Sequence, residues 1–109
     1  MDGLQEAQRK VDQYIQANGG YWEPKSNLLR LVEEVGELSR EFNHRYGAKP
    51  KKVSEVEKRL EDEFGDVLFV LITTANSVGV DLSAALEQVL QKYLSRDKGR
   101  WTNGSQEEK

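Results

Sequence analysis

Two short acidic segments, Glu33–Glu37 and Glu63–Asp66, are the part of this chain whose residue types and spacing could do chemistry. Each segment holds two carboxylates three residues apart, and side chains at that spacing project from the same face of a helix. Each pair can therefore direct two carboxylates at one point. Oxygen ligands with no His or Cys nearby favour hard cations such as Mg²⁺ or Mn²⁺. The two segments together predict a metal site, and Mg²⁺ in proteins usually accompanies phosphates.

Helical periodicity predicts the elements that position these acids: four helices and no strand, in an all-α chain. The first repeats apolar residues from Leu4 to Ile15, and the glycines after Asn18 end it. The second follows a loop at Pro24 and Ser26. The third is predicted from about Ser54 to Val78, with Ser54 and Glu57 forming a capping box and Gly79 as its stop, and the fourth from Asp81 to about Arg96.

The second helix carries an apolar stripe of five residues, Leu28, Leu31, Val35, Leu38 and Phe42. A helical wheel places Glu34, Glu37 and Glu41 together on a flank beside that stripe, which predicts carboxylates at the rim of the core. Each acidic segment also contains a glycine, Gly36 or Gly65. Glycine inside a helix costs about 0.8–1 kcal/mol relative to alanine. The two glycines therefore suggest the close approach of another backbone or of a ligand.

The third helix is too apolar to be covered by one small subunit. Its segment Val67–Ile72 is apolar on every side, and such a helix must be buried on every side. Hydrophobic residues make up 37% and charged residues 32% of the 109 residues, which is lean for a monomer. We therefore expect a four-helix bundle-type subunit that completes its core by homo-oligomerisation, through an interface that includes Phe69 and Ile72.

Composition excludes several classes of function. The net charge of −3 and a pI near 5.2 argue against binding nucleic-acid polymers through a basic field. The absence of cysteine excludes disulfides and thiolate metal sites. The N-terminal residues lack the pattern of a signal peptide, and the longest apolar run is too short to span a bilayer. These features predict a cytoplasmic protein with no membrane partner.

The acidic pattern resembles that of the MazG-like nucleotide pyrophosphohydrolases, of the all-α NTP pyrophosphohydrolase superfamily. The likeness extends over roughly residues 4–101 and is that of the small single-domain members. Besides the acidic pairs it rests on five segments: Tyr21-Trp22, Asn27–Asn43, Asn43–Gly47, Glu61–Leu82 and Lys92–Trp101. We expect one such domain over residues 1–101. Residues 102–109 are polar and without apolar periodicity, which predicts a disordered tail.

The resemblance implies a function and a set of ligands. It implies Mg²⁺, with Mn²⁺ as a substitute, held by Glu34, Glu37, Glu63 and Asp66. It also implies hydrolysis of (d)NTPs between the α and β phosphates, in house-cleaning of the nucleotide pool, by a homodimer or homotetramer. Catalysis is assigned to Glu33 and Glu34; Glu33 either supports the metal ligands or removes a proton from the attacking water.

Candidate substrate-binding residues come from three parts of the chain. In the family a Lys and an Arg of the last helix bind phosphate, and Lys92 and Arg96 resemble them, with Arg100 beyond. Cations at a helix C-terminus also complement the helix dipole without any ligand. Trp22 and Trp101 could stack on a base or anchor a core. Asn76 could bind a sugar or base, or be a satisfied polar residue between helices.

Several alternatives share parts of this pattern. A phosphoribosyl-ATP pyrophosphohydrolase, or a pyrimidine-specific dUTPase or dCTPase, would use the same metal site with a different base pocket. A catalytically silent helical interaction module would keep the acidic faces without turnover. A di-iron carboxylate bundle needs Glu-x-x-His pairs, and no histidine follows any of the four predicted ligands at that spacing. That class is therefore rejected.

Overall fold

The computed structural model describes residues 1–47 and 59–102, with side chains described up to Arg96. These residues form four helices: α1 (Gly3–Ala17), α2 (Pro24–Tyr46), α3 (Leu60–Ser77) and α4 (Leu82–Thr102). No strand occurs in either described range. The predicted all-α fold of four helices is therefore confirmed. The predicted tail lies almost wholly outside the described residues.

Glycines end two of the helices, as the sequence predicts. After α1, Asn18 is the C-cap, and Gly19 and Gly20 have φ angles of 107° and 86°. After α3, Gly79 has a φ angle of 74°. These left-handed conformations are open to glycine without the steric penalty of a side chain. They let the chain leave each helix abruptly and turn towards the next one.

Aspartates begin two of the helices. Asp2 accepts a hydrogen bond from the backbone N–H of Gln5, whose side chain accepts one from the N–H of Asp2, completing a capping box. Asp81 accepts from the backbone N–H groups of Ser83 and Ala84 at the start of α4, as predicted. Both caps satisfy N–H groups that the first helical turn leaves without partners.

Three helix boundaries differ from the sequence-based expectation. Pro24 begins α2 with Glu23 as its N-cap, because a proline is well tolerated in the first turn of a helix. The start predicted at Ser54 lies outside the described residues, and extended backbone at Arg59 precedes α3. The fourth helix continues to Thr102 instead of ending near Arg96.

Helices α2 and α3 form an antiparallel pair, and α1 packs against α3. Phe42, late in α2, contacts Phe64, early in α3, with ring centroids 6.0 Å apart. Tyr14, late in α1, contacts Phe69 in the middle of α3 at the same centroid separation, 6.0 Å. Helix α4 packs against α1 and leaves α3 at an angle of 104°. The acidic segments therefore lie on the central α2–α3 pair.

No single helix among the described residues is both long enough and apolar enough to cross a membrane. Helices α3 and α4 together are long and apolar enough, but a bend of 104° separates them.

Within one chain, the residues of α2 that are buried are polar, and its apolar stripe is only partly covered. Asn27, Glu34 and Glu41, spaced seven residues apart, are the buried residues of α2. Within the stripe, Val35 remains 47% exposed and Phe42 40% exposed. A helical wheel identifies the most apolar face but not what lies opposite each face. Here Glu63 of α3 lies against the buried side of α2. The flank of α2 that carries Glu34 therefore contacts α3.

The buried apolar residues of the described chain, Val70, Ile72 and Ala75, all lie on α3. Ile72 is 3% exposed within one subunit, so the expectation that it contributes to an interface between subunits was wrong. The Ile72 side chain is part of the core of the single chain. Phe69 is 38% exposed and is still available to a partner.

Candidate metal centre

Three carboxylates converge between α2 and α3. Oxygen atoms of Glu34, Glu37 and Glu63 all lie within 4.8 Å of one another. Glu63 is 1% exposed and Glu34 8% exposed, whereas Glu37 faces solvent. Two like charges about 4 Å apart repel by about 4 kcal/mol at an effective dielectric constant of 20. Three such oxygens suit a hard divalent cation, which would offset that repulsion.

Local structure explains why these three side chains meet. Glu34 and Glu37 are separated by three residues on α2 and so share a face. Glu63 lies in the first turn of α3, together with Glu61 and Asp62. The positive end of the helix dipole stabilises negative charge in this first turn. The seven-residue spacing of buried residues on α2 then brings Glu34 opposite Glu63.

The other two predicted acidic residues lie outside this group. Asp66 and Glu33 are exposed, and neither has an oxygen within the cluster of three. Both are close enough to Arg30 that their negative charges help to raise its pKa. Their roles as metal ligand and as catalytic residue remain predictions.

Arg30 is a residue of this site that the sequence analysis missed. Its Nε atom donates a hydrogen bond to Oε2 of Glu34 at 2.9 Å. This hydrogen bond is the largest cause of the raised pKa of Arg30. The signal was present in the sequence, because Arg30 precedes Glu34 by four residues and is the only basic residue between Lys25 and Arg40.

A pocket of about 300 Å³ lies beside the cluster, between the end of α1, the following loop, the start of α2 and α3. Four aromatic side chains contribute to its lining: Tyr14, Tyr21, Trp22 and Phe69. Trp22 is 59% exposed, and the Arg30 guanidinium lies 6.0 Å from the centre of its ring. Pockets that bind small molecules have this apolar and aromatic character with few polar groups. Arg30 is thus shared by the pocket and the cluster.

The loop that carries Trp22 is fixed on both sides of it. The Tyr21 hydroxyl donates a hydrogen bond to Asp12 at 2.6 Å. Burial, assisted by this hydrogen bond, raises the pKa of Tyr21 to about 12. The buried Asn27 side chain donates to the backbone carbonyl of Trp22 at 3.3 Å. These contacts hold the aromatic wall of the pocket in place.

Asn76 joins α3 to α1. Its Nδ2 atom donates to the backbone carbonyl of Gln8 at 3.0 Å, and its Oδ1 atom accepts from Nε2 of Gln8 at 2.8 Å. These bonds agree with the structural role weighed for this residue in the sequence analysis. Contact with a substrate remains a prediction.

The predicted phosphate-binding residues lie on α4. Lys92 Nζ is 5.6 Å and the Arg96 guanidinium 4.7 Å from the centre of the Tyr93 ring. Helix α4 packs against α1, whereas the carboxylates lie on α2 and α3. The side chains of Arg100 and Trp101 lie outside the described part of the chain.

The glycines of the acidic segments do not mark a close helix contact within the described chain. A Cβ atom added at Gly36 or at Gly65 would meet no atom of the described residues within 4 Å. Among the described residues, therefore, no neighbouring backbone approaches either glycine.

The fold and the cluster define an all-α protein with converging carboxylates between two antiparallel helices. The chain belongs to the MazG nucleotide pyrophosphohydrolase family, whose domain profile matches residues 22–101. The family predicted from the acidic pattern is therefore confirmed.

Relatives from Bacillus have the same fold. The chain is 51% identical over 100 residues to the uncharacterized protein YpjD of Bacillus subtilis. The aligned region covers 91% of this chain and 90% of YpjD. A crystal structure of YpjD from Bacillus subtilis matches with a TM-score of 0.75 and 47% identity, over 85% of this chain and 96% of that one. The crystal structure of a Bacillus-conserved MazG protein, a nucleotide pyrophosphohydrolase, matches with a TM-score of 0.72 and 41% identity. This match covers 85% of this chain and 90% of that one.

Proposed function

We propose that this protein is a Mg²⁺-dependent enzyme that hydrolyses (d)NTPs between the α and β phosphates, releasing a nucleoside monophosphate and pyrophosphate. The observation that carries the proposal is the convergence of Glu34, Glu37 and Glu63, with oxygens within 4.8 Å of one another. In this proposal the aromatic pocket beside them takes the nucleoside. The proposed biological role is house-cleaning of the nucleotide pool.

In this proposal the acidic residues hold the cation and prepare the water. Glu34, Glu37 and Glu63, completed by Asp66, bind Mg²⁺, for which Mn²⁺ substitutes. A cation bound there would offset the negative charge of the phosphates and lower the pKa of a bound water. Glu33 lies next to Glu34 on the exposed side of α2 and either accepts a proton from water or supports the ligands.

The proposed substrate contacts come from the pocket and from α4. Trp22 and Trp101 stack on the base and Asn76 supports the nucleoside, while Lys92 and Arg96, with Arg100, take the phosphates. The carboxylates lie on α2 and α3, whereas Lys92 and Arg96 lie on α4, so in this proposal the α4 residues serve the cluster of a second copy of the chain. We therefore include a homodimer or homotetramer in the proposal.

A panel of NTPs and dNTPs, incubated with the protein and Mg²⁺ or Mn²⁺, tests this function. Pyrophosphate and monophosphate are measured separately from orthophosphate. We expect pyrophosphate release that EDTA abolishes and that Glu34→Gln lowers by at least about 100-fold, the scale for loss of a group that stabilises the transition state. Glu61→Gln is the matched control, because Glu61 is exposed and pairs with Arg59 instead of joining the cluster.

The other outcomes separate the alternatives. Release of orthophosphate alone would contradict α–β cleavage. Turnover restricted to dUTP or dCTP would identify the pyrimidine branch, and turnover of phosphoribosyl-ATP alone would identify that pyrophosphohydrolase. A silent interaction module would show no turnover with any of these, and its partner binding would survive Asp66→Asn.

A further inference from the structure

The Arg30 side chain lies between the carboxylate cluster and the aromatic pocket. Its Nε atom is 2.9 Å from Oε2 of Glu34, and its guanidinium carbon is 6.0 Å from the centre of the Trp22 ring. The Arg30 side chain is 46% exposed, whereas that of Glu34 is only 11% exposed. The guanidinium therefore reaches a buried carboxylate from the solvent side, along the wall of the pocket.

This position puts Arg30 in competition with any cation that binds the cluster. A divalent ion held by Glu34, Glu37 and Glu63 would bring two positive charges next to the guanidinium, and like charges at such distances repel. The guanidinium also bonds one of the two oxygens that Glu34 can offer. A cation that uses this oxygen must displace Arg30 from it. The displaced side chain would remain at the pocket wall, which it already lines.

We propose that Arg30 is an exchangeable counter-ion: it pairs with Glu34 until a divalent cation binds the cluster, and then turns to the phosphate of the substrate. The inference rests on the proposed function, since it requires the metal centre. It assigns to Arg30 the coupling of two events, metal loading and nucleotide binding. In the absence of metal, the guanidinium supplies positive charge beside the Glu34 carboxylate.

A second ion pair on the same helix provides a matched control. Arg45 pairs with Glu41 at 3.7 Å, four residues apart, and Glu41 is buried as deeply as Glu34. Glu41 is not one of the three converging carboxylates, and Arg45 does not line the pocket. If Arg30 had only a structural role, Arg30→Gln and Arg45→Gln would behave alike.

Binding of Mn²⁺ alone, followed by electron paramagnetic resonance of the free ion, is the first test. We expect Arg30→Gln to bind Mn²⁺ about fivefold more tightly than the unmodified protein, the effect of losing an exposed competing ion pair. Arg45→Gln should bind Mn²⁺ unchanged. Without metal, Arg30→Gln should melt about 4 °C lower, and saturating Mn²⁺ should abolish that difference. The deficit of Arg45→Gln should persist with metal.

Kinetics with the best nucleotide of the panel tests the second half of the exchange. Arg30→Gln should raise KM about tenfold while it tightens Mn²⁺ binding, and Arg30→Lys should restore most of the KM. Equal Mn²⁺ affinity of Arg30→Gln and the unmodified protein would overturn the inference while leaving the proposed function intact. An unchanged KM would overturn its substrate half. Failure of the unmodified protein to bind Mn²⁺ at all would overturn both the inference and the proposed metal centre.

Discussion

At the scale of single residues, the cluster stores electrostatic repulsion that packing must overcome. Glu34 and Glu63 are held nearly out of water and within 4.8 Å of each other and of Glu37. A protein built only for stability would replace these side chains with neutral ones, since buried like charges oppose folding. Such arrangements are typical of functional sites, and the cation that we propose would make this one favourable.

Tyr21 provides a pH-dependent test of the loop that carries Trp22. Its pKa is raised from 10.0 to about 12, mainly by burial and then by its hydrogen bond to Asp12. A pKa above the unfolded value means that the stabilisation is complete below about pH 10 and is lost as pH rises towards 12. We expect Tyr21→Phe to be less stable at about pH 9, by about 1 kcal/mol for one hydrogen bond.

The difference between Tyr21→Phe and the unmodified protein should shrink as the pH rises through that window. Urea unfolding at about pH 9 and about pH 11.5 measures it, with absorbance at tyrosine wavelengths following ionisation. Tyr14→Phe is the control, because Tyr14 is more than half exposed and packs on Phe69 through its ring. A stability difference that stayed constant over the window would contradict the assignment of this pKa.

Spacing predicted that the two carboxylates of each acidic pair could share a face, and the family resemblance implied the set of four ligands; oxygens of three of those four residues converge in the structure. The spacing of four residues between Arg30 and Glu34 also predicts their contact. Such pairs are so often surface ion pairs that this spacing did not mark Arg30 as a residue of the site. The pocket could not be predicted in detail. Its walls come from α1, a loop and α3 as well as α2, and no local pattern in the sequence reports which of these elements meet.

At the scale of elements, polar side chains hold α1 against α3 and α4. Gln8 donates through Nε2 to Asn76 and to the backbone carbonyl of Val80, both at 2.8 Å, and accepts from the backbone N–H of Leu82 at 2.9 Å. One side chain therefore contacts the end of α3, the turn and the start of α4. These bonds join α1 to the α3–α4 turn, while Asp81 caps the start of α4.

Asn76→Ala separates the two roles weighed for this residue. It removes both hydrogen bonds to Gln8 and leaves polar groups at a half-buried helix contact, so we expect a loss of about 1–3 kcal/mol of unfolding free energy. Urea unfolding of Asn76→Ala, Gln8→Ala and the double variant should show strong coupling between the two positions. If stability were unchanged and only KM rose, Asn76 would bind substrate and would not be needed to hold α3 against α1.

The apolar pattern of α2 predicted the helix but not its orientation. Periodicity depends on local sequence, so the existence of the helix is strongly indicated. Which face is buried depends on the neighbouring helix, and α3 is apolar on several sides. The structure places the polar seam of Asn27, Glu34 and Glu41 inward, and leaves Leu28 and Val35 about half exposed.

At the scale of the whole molecule, one chain leaves much apolar surface uncovered. Half-exposed apolar side chains occur on α2, α3 and α4; they include Leu28, Val32, Val35, Leu68, Leu71, Leu86, Leu90 and Leu94. Large contiguous apolar patches on soluble chains mark interaction surfaces. Among the described residues, nothing occupies the space beside Gly36 and Gly65, where a second backbone could approach. These observations favour the homo-oligomer that we propose.

Light scattering coupled to size-exclusion chromatography tests that assembly. We expect a mass that is a multiple of 12.5 kDa, as for a dimer or a tetramer. Leu90 is 46% exposed on α4, so Leu90→Glu would place a charge in an interface there and should shift the mass towards the monomer. Gln88→Glu adds a charge of the same sign at another exposed position of α4 and should leave the mass unchanged.

Activity measured on the same samples then connects assembly to the site. If Lys92 and Arg96 serve the cluster of a second copy, Leu90→Glu should lose nucleotide turnover while it retains Mn²⁺ binding, because α2 and α3 of each chain keep the three carboxylates. Glu34→Gln has an intact α4 but a damaged cluster, so mixing it in excess with Leu90→Glu tests whether the two variants complement each other. We expect the mixture to stay inactive, and recovered activity would mean that the two variants assemble. A fully active 12.5 kDa monomer would show that one chain is sufficient and that the uncovered apolar surface serves another purpose.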